Sequence, residues 1–282
     1  MIQKIGVIGA GQMGGGIAQV CAQAGYEVIL FDVVEAQLAK AKAGMEKSLR
    51  KLAEKGGIDP AAVDPALARV KTVSDLEAMA AADLVVEAVN ENEVLKLDIF
   101  RKLDGILGPE AILASNTSSI SITKLASVTK RPGKVVGMHF FNPVPLMKLV
   151  ELIRGHETSD GTYAAVAEVA AKVGKESAAA QDYPGFIVNR ILVPMLNEAA
   201  FAVYENLATP EDIDKAMKLG TNQPMGPLTL ADFIGLDTVL AIMEVLYEGF
   251  KDPKYRPCPL LVKMVRAGYL GRKSGRGFFV YG

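Results

Sequence analysis

The chain has two histidines, and only His139 stands where a proton could usefully be exchanged. It closes the apolar run Val135–Phe140 and meets a Pro-punctuated stretch, Asn142-Pro143-Val144-Pro145. An imidazole titrating near about pH 6.5 suits proton exchange with an alcohol or ketone. Glu151 lies in the next apolar run, Leu149–Ile153, where an acid is costly unless partnered. It could orient the imidazole and stabilise its charged form. The same residue types allow a core histidine bonded to backbone, with Glu151 on an exposed face. Both readings stand at this level. His156, in the polar stretch Gly155-His156-Glu157, reads as solvated.

A second constellation is Gly9-Ala10-Gly11-Gln12-Met13-Gly14. Alone, this spacing is a weak signal. Here it follows the apolar run Ile5–Gly9 and opens a helical pattern through Ala24. Asp32 closes the next apolar run, 18 residues after Gly14. In a dinucleotide-binding unit Gly9 permits a tight turn, Gly11 lets backbone approach a pyrophosphate, and Gly14 permits close helix–strand packing. The first amides of the helix then face the phosphates. Asp32 would accept from a ribose 2′-hydroxyl and repel a 2′-phosphate, which favours NAD over NADP. The triple glycine at 14–16 calls for close packing, because a helix-interior glycine costs about 1 kcal/mol.

The third is Ser115-Asn116-Thr117-Ser118-Ser119, directly after an apolar run. Short polar side chains at a strand end can position a substrate oxygen. They can equally cap the following helix, and residue types alone favour capping. Between Lys40 and Lys55 stand six basic residues and two acids, with Lys47, Lys51 and Lys55 spaced by four. Such a stripe suits a polyphosphorylated ligand, but a solvated helix face is the simpler reading.

The elements that must carry these residues alternate. Strand candidates are Ile5–Gly9, Tyr26–Phe31, Leu84–Val89, Ala111–Ser115, Val135–Phe140, Leu149–Ile153 and Ser177–Ala180, with helical patterns between several of them. This predicts an α/β, Rossmann-like, mostly parallel sheet with helices on both faces. Residues 36–79 read as a helical insertion: an apolar stripe over Ala36–Lys55, a stop at Gly56-Gly57, and an Ala-rich helix from Pro60. Past Asp182-Tyr183-Pro184-Gly185 the pattern turns helical: Phe186–Glu205, Pro210–Leu219, Leu228–Phe250 and Pro259–Ala267. Thr209 before Pro210 reads as a helix N-cap. Only Phe278–Tyr281 reads as a further strand. The predicted domains are 1–183 and 184–282, the second all-helical.

Composition narrows the function classes. Lys+Arg 31 against Asp+Glu 32 leaves a net charge of −1, which argues against a general nucleic-acid partner. Two cysteines cannot build a disulfide framework, and Cys21 and Cys258 read as core residues. Two histidines leave no His-rich metal site. No apolar run approaches the ~20 residues of a membrane span. The amino-terminal residues have no targeting pattern, which fits a cytoplasmic chain or a processed organelle protein.

These pieces together resemble the 3-hydroxyacyl-CoA dehydrogenase family, and within it the bacterial 3-hydroxybutyryl-CoA branch. The carrying segments are GAGQMG at 9–14, SNTSS at 115–119, GMHFFNPVPLMKLVELI at 137–153, DYPGFIVNRIL at 182–192, QPMGPLTLADFIGLD at 223–237 and GRKSGRGFF at 271–279. The resemblance implies an NAD-binding domain at 1–183 and a helical substrate and dimerisation domain at 184–282, with the active site in the cleft between them. It implies a catalytic His139 partnered by Glu151, and substrate contacts by Ser118 and Asn189. It implies NAD contacts by Asp32, Glu91, Lys96, Asn116, Ser118 and Asn142 beside the glycine loop, Gly9, Gly11, Gln12, Met13 and Gly14. Taken alone, Glu91 and Lys96 would pass for solvated charges, and Asn189 for a polar helix residue. Lys51 and Lys55 match the family's CoA contacts.

Two departures are local: the triple glycine, and Ser274 and Arg276 where the family has Thr and Lys. The implied reaction interconverts acetoacetyl-CoA and (S)-3-hydroxybutyryl-CoA with NAD(H), in a homodimer. The alternatives are a β-hydroxyacid dehydrogenase acting on free acids and a non-enzymatic NAD-binding protein on the same scaffold. The first typically relies on a catalytic lysine in its helical domain; the intact set His139, Glu151, Ser118 and Asn189 speaks against the second.

Overall fold

The computed structural model describes residues 2–282 of the chain. Two units separate by their internal contacts, 1–183 and 184–282. The first runs β1 (Lys4–Ile8), α1 (Gln12–Gln23), β2 (Glu27–Phe31), α2 (Glu35–Glu54), α3 (Val63–Ala68), β3 (Val70–Val73), β4 (Leu84–Glu87), α4 (Glu93–Ile106), β5 (Ile112–Ser115), α5 (Ile122–Ala126), β6 (Val135–Phe140), β7 (Leu149–Arg154), α6 (Asp160–Lys172) and β8 (Glu176–Gln181). The eight strands form one sheet in the order β3-β2-β1-β4-β5-β6-β7-β8. All neighbours are parallel except β6 and β7.

The sheet is Val-, Ile- and Leu-rich because strands covered on both faces must be apolar on both. On one face Val7, Leu30, Val86, Ala114, Met138 and Leu152 join Ile17 of α1, Leu38 of α2 and Val166 of α6 in one buried cluster. Side chains alternate along a strand, so Glu87, Ser115, His139 and Glu151 point to the opposite face. The register sets them side by side, with Glu87 beside Ser115 and His139 beside Glu151. The chain leaves β1 for β2 on one side and later places β4 on the other. That reversal opens a crevice at the carboxyl ends of β1 and β4, where ligands of open α/β sheets bind.

The seven strands predicted in the first unit all form, and one more appears. Residues 36–79 are not a purely helical insertion, because Val70–Val73 forms β3 and pairs with β2 at the sheet edge. Four residues with one fully buried side chain leave almost no periodic signal. Pairing with β2, not pattern, makes it a strand.

The second unit comprises α7 (Val188–Tyr204), α8 (Pro210–Gly220), α9 (Pro227–Ile234), α10 (Leu236–Phe250) and α11 (Pro259–Arg266). The single helix expected over Leu228–Phe250 is broken at Gly235, whose φ of +102° a helix cannot contain. Thr209 caps α8, accepting from Asp212 N at 3.2 Å. The core gathers Val193, Leu196, Leu236, Val239, Met243, Leu246 and Leu261. No strand forms over Phe278–Tyr281. Arg276 and Val280 make an isolated bridge, and the tail is held by Asp232. That buried carboxylate accepts from Phe278 N and Phe279 N, each at 3.0 Å, and from the Tyr281 hydroxyl at 2.9 Å.

Candidate active site

The glycine loop is shaped by contacts a side chain would break. Gly9 follows β1 with φ +98°. A Cβ on Gly14 would stand 1.8 Å from the Gly9 carbonyl oxygen, and one on Gly16 would stand 2.8 Å from Val144 Cβ. So the triple glycine is steric at both ends, pressed by the loop below and by the 142–147 segment beside α1. Gly11 meets nothing within 4 Å. No side chain caps α1, so its first amides remain for an anion. Asp32 reaches the same loop, with Oδ2 accepting from Ala10 N at 2.8 Å and Oδ1 from Val34 N at 2.9 Å. Each oxygen keeps accepting capacity for a ribose hydroxyl. An open amide cradle and an accepting carboxylate together fit NAD.

Beside this loop lies a charge network that no single segment reveals. Lys96 is 1% exposed, far from a solvated charge. Its Nζ donates to Glu87 Oε1 at 2.7 Å and to the Val89 carbonyl at 3.2 Å, and lies 3.3 Å from Glu91 Oε2. Glu87, fully buried on β4, also accepts from Ser115 Oγ at 2.7 Å and Val89 N at 2.7 Å. Glu91 Oε1 accepts from the Thr117 hydroxyl, from Ser118 N at 2.9 Å, and from Ser119 N at 3.1 Å and Oγ at 2.8 Å. Burial by itself would raise the Glu91 carboxyl. Lys96 and these donors together outweigh burial and hold it below its ordinary value.

The Ser115–Ser119 cluster therefore does not cap the following helix. α5 is capped by Ser121, whose side chain accepts from Lys124 N. The hydroxyls of the cluster turn to Glu87 and Glu91 instead. Asn116 Oδ1 accepts from Phe140 N at 2.8 Å and so ties the end of β5 to the strand that carries His139.

His139 and Glu151 occupy paired positions on the antiparallel strands β6 and β7. His139 Nδ1 and Glu151 Oε2 are 2.7 Å apart; Glu151 is fully buried and His139 is 7% exposed. The Phe141 ring packs against the imidazole, with centroids 4.6 Å apart. A carboxylate oxygen beside Nδ1 directs that nitrogen to donate. Asn142 begins the loop that follows.

Within the first unit the structure thus gathers Asp32, the glycine loop, Glu91, Lys96, Asn116, Ser118 and His139 along the edge where the parallel strands end, with Glu151 beside His139 on the antiparallel β7. Lys51 and Lys55 stand apart on α2 and just beyond it, exposed. Arg50 is taken by Glu46 at 2.7 Å, but no acid pairs with Lys47, Lys51 or Lys55 among the described residues. In the second unit, Asn189 sits half-buried in the first turn of α7. Glu87 was missed by reading the sequence. Its signal was an acid inside the central run Leu84–Val89. A broad cleft of about 1450 Å³ opens at the opposite, amino ends of the strands, among Lys4, Tyr26, Asp83 and Lys134, and holds none of these residues. His156 is exposed, and Cys21 is buried with its thiol pushed up to about 12 by burial. Among the described residues no cluster of His, Cys, Asp and Glu could hold a metal ion, and no helix is long and apolar enough to cross a membrane.

Residues 4–183 match the family model described as 3-hydroxyacyl-CoA dehydrogenase, NAD binding domain, and residues 185–281 match its C-terminal domain. A probable 3-hydroxybutyryl-CoA dehydrogenase of Deinococcus radiodurans is 59% identical, covering 99% of this chain and 100% of its own. A 3-hydroxybutyryl-CoA dehydrogenase of Bradyrhizobium diazoefficiens is 55% identical, covering 100% of this chain and 96% of its own. The crystal structure of (S)-3-hydroxybutyryl-CoA dehydrogenase from Ralstonia eutropha superimposes with a TM-score of 0.98 at 54% identity, over 100% of both chains.

Proposed function

Because this chain belongs to the 3-hydroxyacyl-CoA dehydrogenase family, we propose that it interconverts acetoacetyl-CoA and (S)-3-hydroxybutyryl-CoA with NAD(H). The observation that carries the reading is the buried His139–Glu151 pair, joined across β6 and β7 at 2.7 Å. The glycine loop would hold NAD(H), which would supply the hydride acceptor or donor for the substrate C3. The chain's own residues do the rest.

His139 exchanges the proton of the 3-hydroxyl through Nε2. In oxidation it accepts that proton; in reduction it donates to the developing alkoxide. Glu151 holds the ring by Nδ1 and offsets the charge that the ring gains. General acid–base work of this kind is worth about 10²–10⁴-fold. Ser118 and Asn189 fix substrate oxygens, so that the reacting carbon is held in place. Gly9, Gly11, Gln12, Met13 and Gly14 receive the pyrophosphate, Asp32 accepts from the adenosine ribose, and Glu91, Lys96, Asn116 and Asn142 complete the dinucleotide contacts. Lys51 and Lys55 meet the phosphates of CoA. Residues 1–183 act as the NAD-binding domain, and 184–282 supply substrate contacts and the homodimer interface of a cytoplasmic enzyme.

The test is direct. NADH oxidation is followed with acetoacetyl-CoA, then with longer 3-ketoacyl-CoAs and with free 3-keto acids. Turnover of the short thioester is expected. No turnover of any thioester would sink the proposal, and turnover of free acids alone would move the chain to the hydroxyacid class.

A further inference from the structure

Lys175 is a buried cation that the mechanism above does not use. It follows α6 and stands one residue before β8, 8% exposed. Its Nζ donates to the Val144 carbonyl at 2.6 Å and the Met147 carbonyl at 2.7 Å. No carboxylate pairs with it among the described residues. Desolvation disfavours its charged form and lowers its pKa. A side chain that only filled space would be apolar here. This one is spent wholly on one loop.

That loop joins the strand of His139 to the strand of Glu151. Leu146 N and Met147 N donate to the Pro143 carbonyl at 2.9 and 3.0 Å, so 143–147 forms one tight turn. On its other side Val144 rests on Gly16, with no room for a Cβ between them. The turn is thus clamped between a lysine behind it and the dinucleotide helix in front. Lys175 itself cannot drift, because its own N–H donates to the Ala170 carbonyl at 2.9 Å and Glu176 N bonds Lys148 O at 2.8 Å.

We infer that Lys175 is a positioning residue for the dinucleotide site: by donating to the Val144 and Met147 carbonyls it fixes the turn that follows Asn142 in its place beside α1, and thereby sets affinity for NAD(H). The inference rests on the reading of Asn142 as a cofactor contact. Binding is read from the fluorescence of NADH itself, without acyl-CoA, so the result does not depend on which substrate the enzyme turns over. Lys175→Met should weaken NADH binding by about tenfold through loss of loop preorganisation. It should raise KM for NADH more than KM for the thioester, and speed amide exchange at Leu146 and Met147.

Gly16→Ala, which pushes the same turn from the other side, should weaken NADH binding too, and the double variant should lose less than the product. Val166→Ala, a core truncation in α6, serves as the control for stability loss and should leave NADH affinity unchanged. Wild-type NADH affinity in Lys175→Met, while Asn142→Ala binds more weakly, would overturn the inference. Weak binding in Lys175→Met with normal binding in Asn142→Ala would instead remove Asn142 from the contacts and leave Lys175 acting through Val144 and Gly16. Equal affinity losses in Val166→Ala and Lys175→Met would show a general stability effect and also overturn it.

Discussion

Buried carboxylates do different work in the two units. In the first, Glu151 meets an imidazole, while Glu87 and Glu91 meet a lysine and hydroxyls. In the second, Asp214 accepts from Leu228 N, Thr229 N and the Thr229 hydroxyl, and Asp232 accepts from two tail amides and Tyr281. Both aspartates are also walled in, since a Cβ on Gly226 or Gly277 would run into them. Their partners are backbone and hydroxyl donors that do not change charge near neutral pH. Those of Glu151 and Glu91 include an imidazole and a lysine. Burial alone therefore does not mark a functional acid. The chemistry of its partners does, and the two sets should fail in different ways when altered.

The largest contrast is expected at His139. His139→Asn should lower turnover by about 10²–10⁴-fold with NADH binding near wild type. Glu151→Gln should cost a similar factor, and the double variant little more than either, because the two groups act as a unit. Steady-state rates and NADH titrations check this. Wild-type turnover in either variant would class the pair with the aspartates of the second unit.

Asp232→Ala should behave in the opposite way. It strands two amides and moves a hydroxyl, each worth about 1–3 kcal/mol when left unsatisfied in a buried site. Denaturant unfolding of the second unit should shift by roughly 3 kcal/mol, while NADH affinity of the folded protein stays put. A large loss of NADH affinity at full stability would break the division between the units.

Smaller again is the effect at the exposed stripe. Lys51→Ala with Lys55→Ala should raise KM for acetoacetyl-CoA several-fold to tens-fold and leave KM for NADH alone, since exposed charges are worth only about 0–1 kcal/mol each. The wild-type enzyme should lose affinity for the CoA substrate with added salt, and the double variant less steeply. S-acetoacetyl-pantetheine, which lacks the nucleotide phosphates, should not register the change. Equal losses with both thioesters would assign the lysines to folding.

The smallest effect is at Glu91. Its carboxyl lies below the ordinary value of about 4.3, so its support of the 117–119 loop is complete above that pH and fades as pH falls through the lowered value. Glu91→Gln should lower stability at pH 7, where the carboxylate's support is complete, and flatten the acid limb of the profile, because the support it removes is the one that fades there. An unchanged acid limb would mean that Lys96 and the loop hydroxyls hold the loop without it.

Much of this was legible along the chain. The glycine loop, Asp32 and the apolar runs are local signals, because a strand's period and a turn's φ are set by the few residues that make them. His139 and Glu151 were legible as candidates, but their mutual contact was not. Twelve positions apart, they meet because β7 folds back antiparallel with one register. Residue types alone misread the Ser115–Ser119 cluster as a helix cap, because its partners Glu87 and Glu91 arrive from β4 and the loop after it, 28 residues away in the case of Ser115. Lys96 read as solvated for the same reason.

What the sequence by itself determined is the alternation of elements, the two-unit plan and the kinds of chemistry available. The tertiary structure alone decided which charges are buried together, that β3 joins the sheet edge, that Gly235 divides a helix, and that Lys175 reaches the turn beside α1. The physical reason is range. Backbone periodicity and glycine conformations act over a few residues. A buried charge finds its partner only where packing brings distant segments within about 3 Å, the distance of a hydrogen bond.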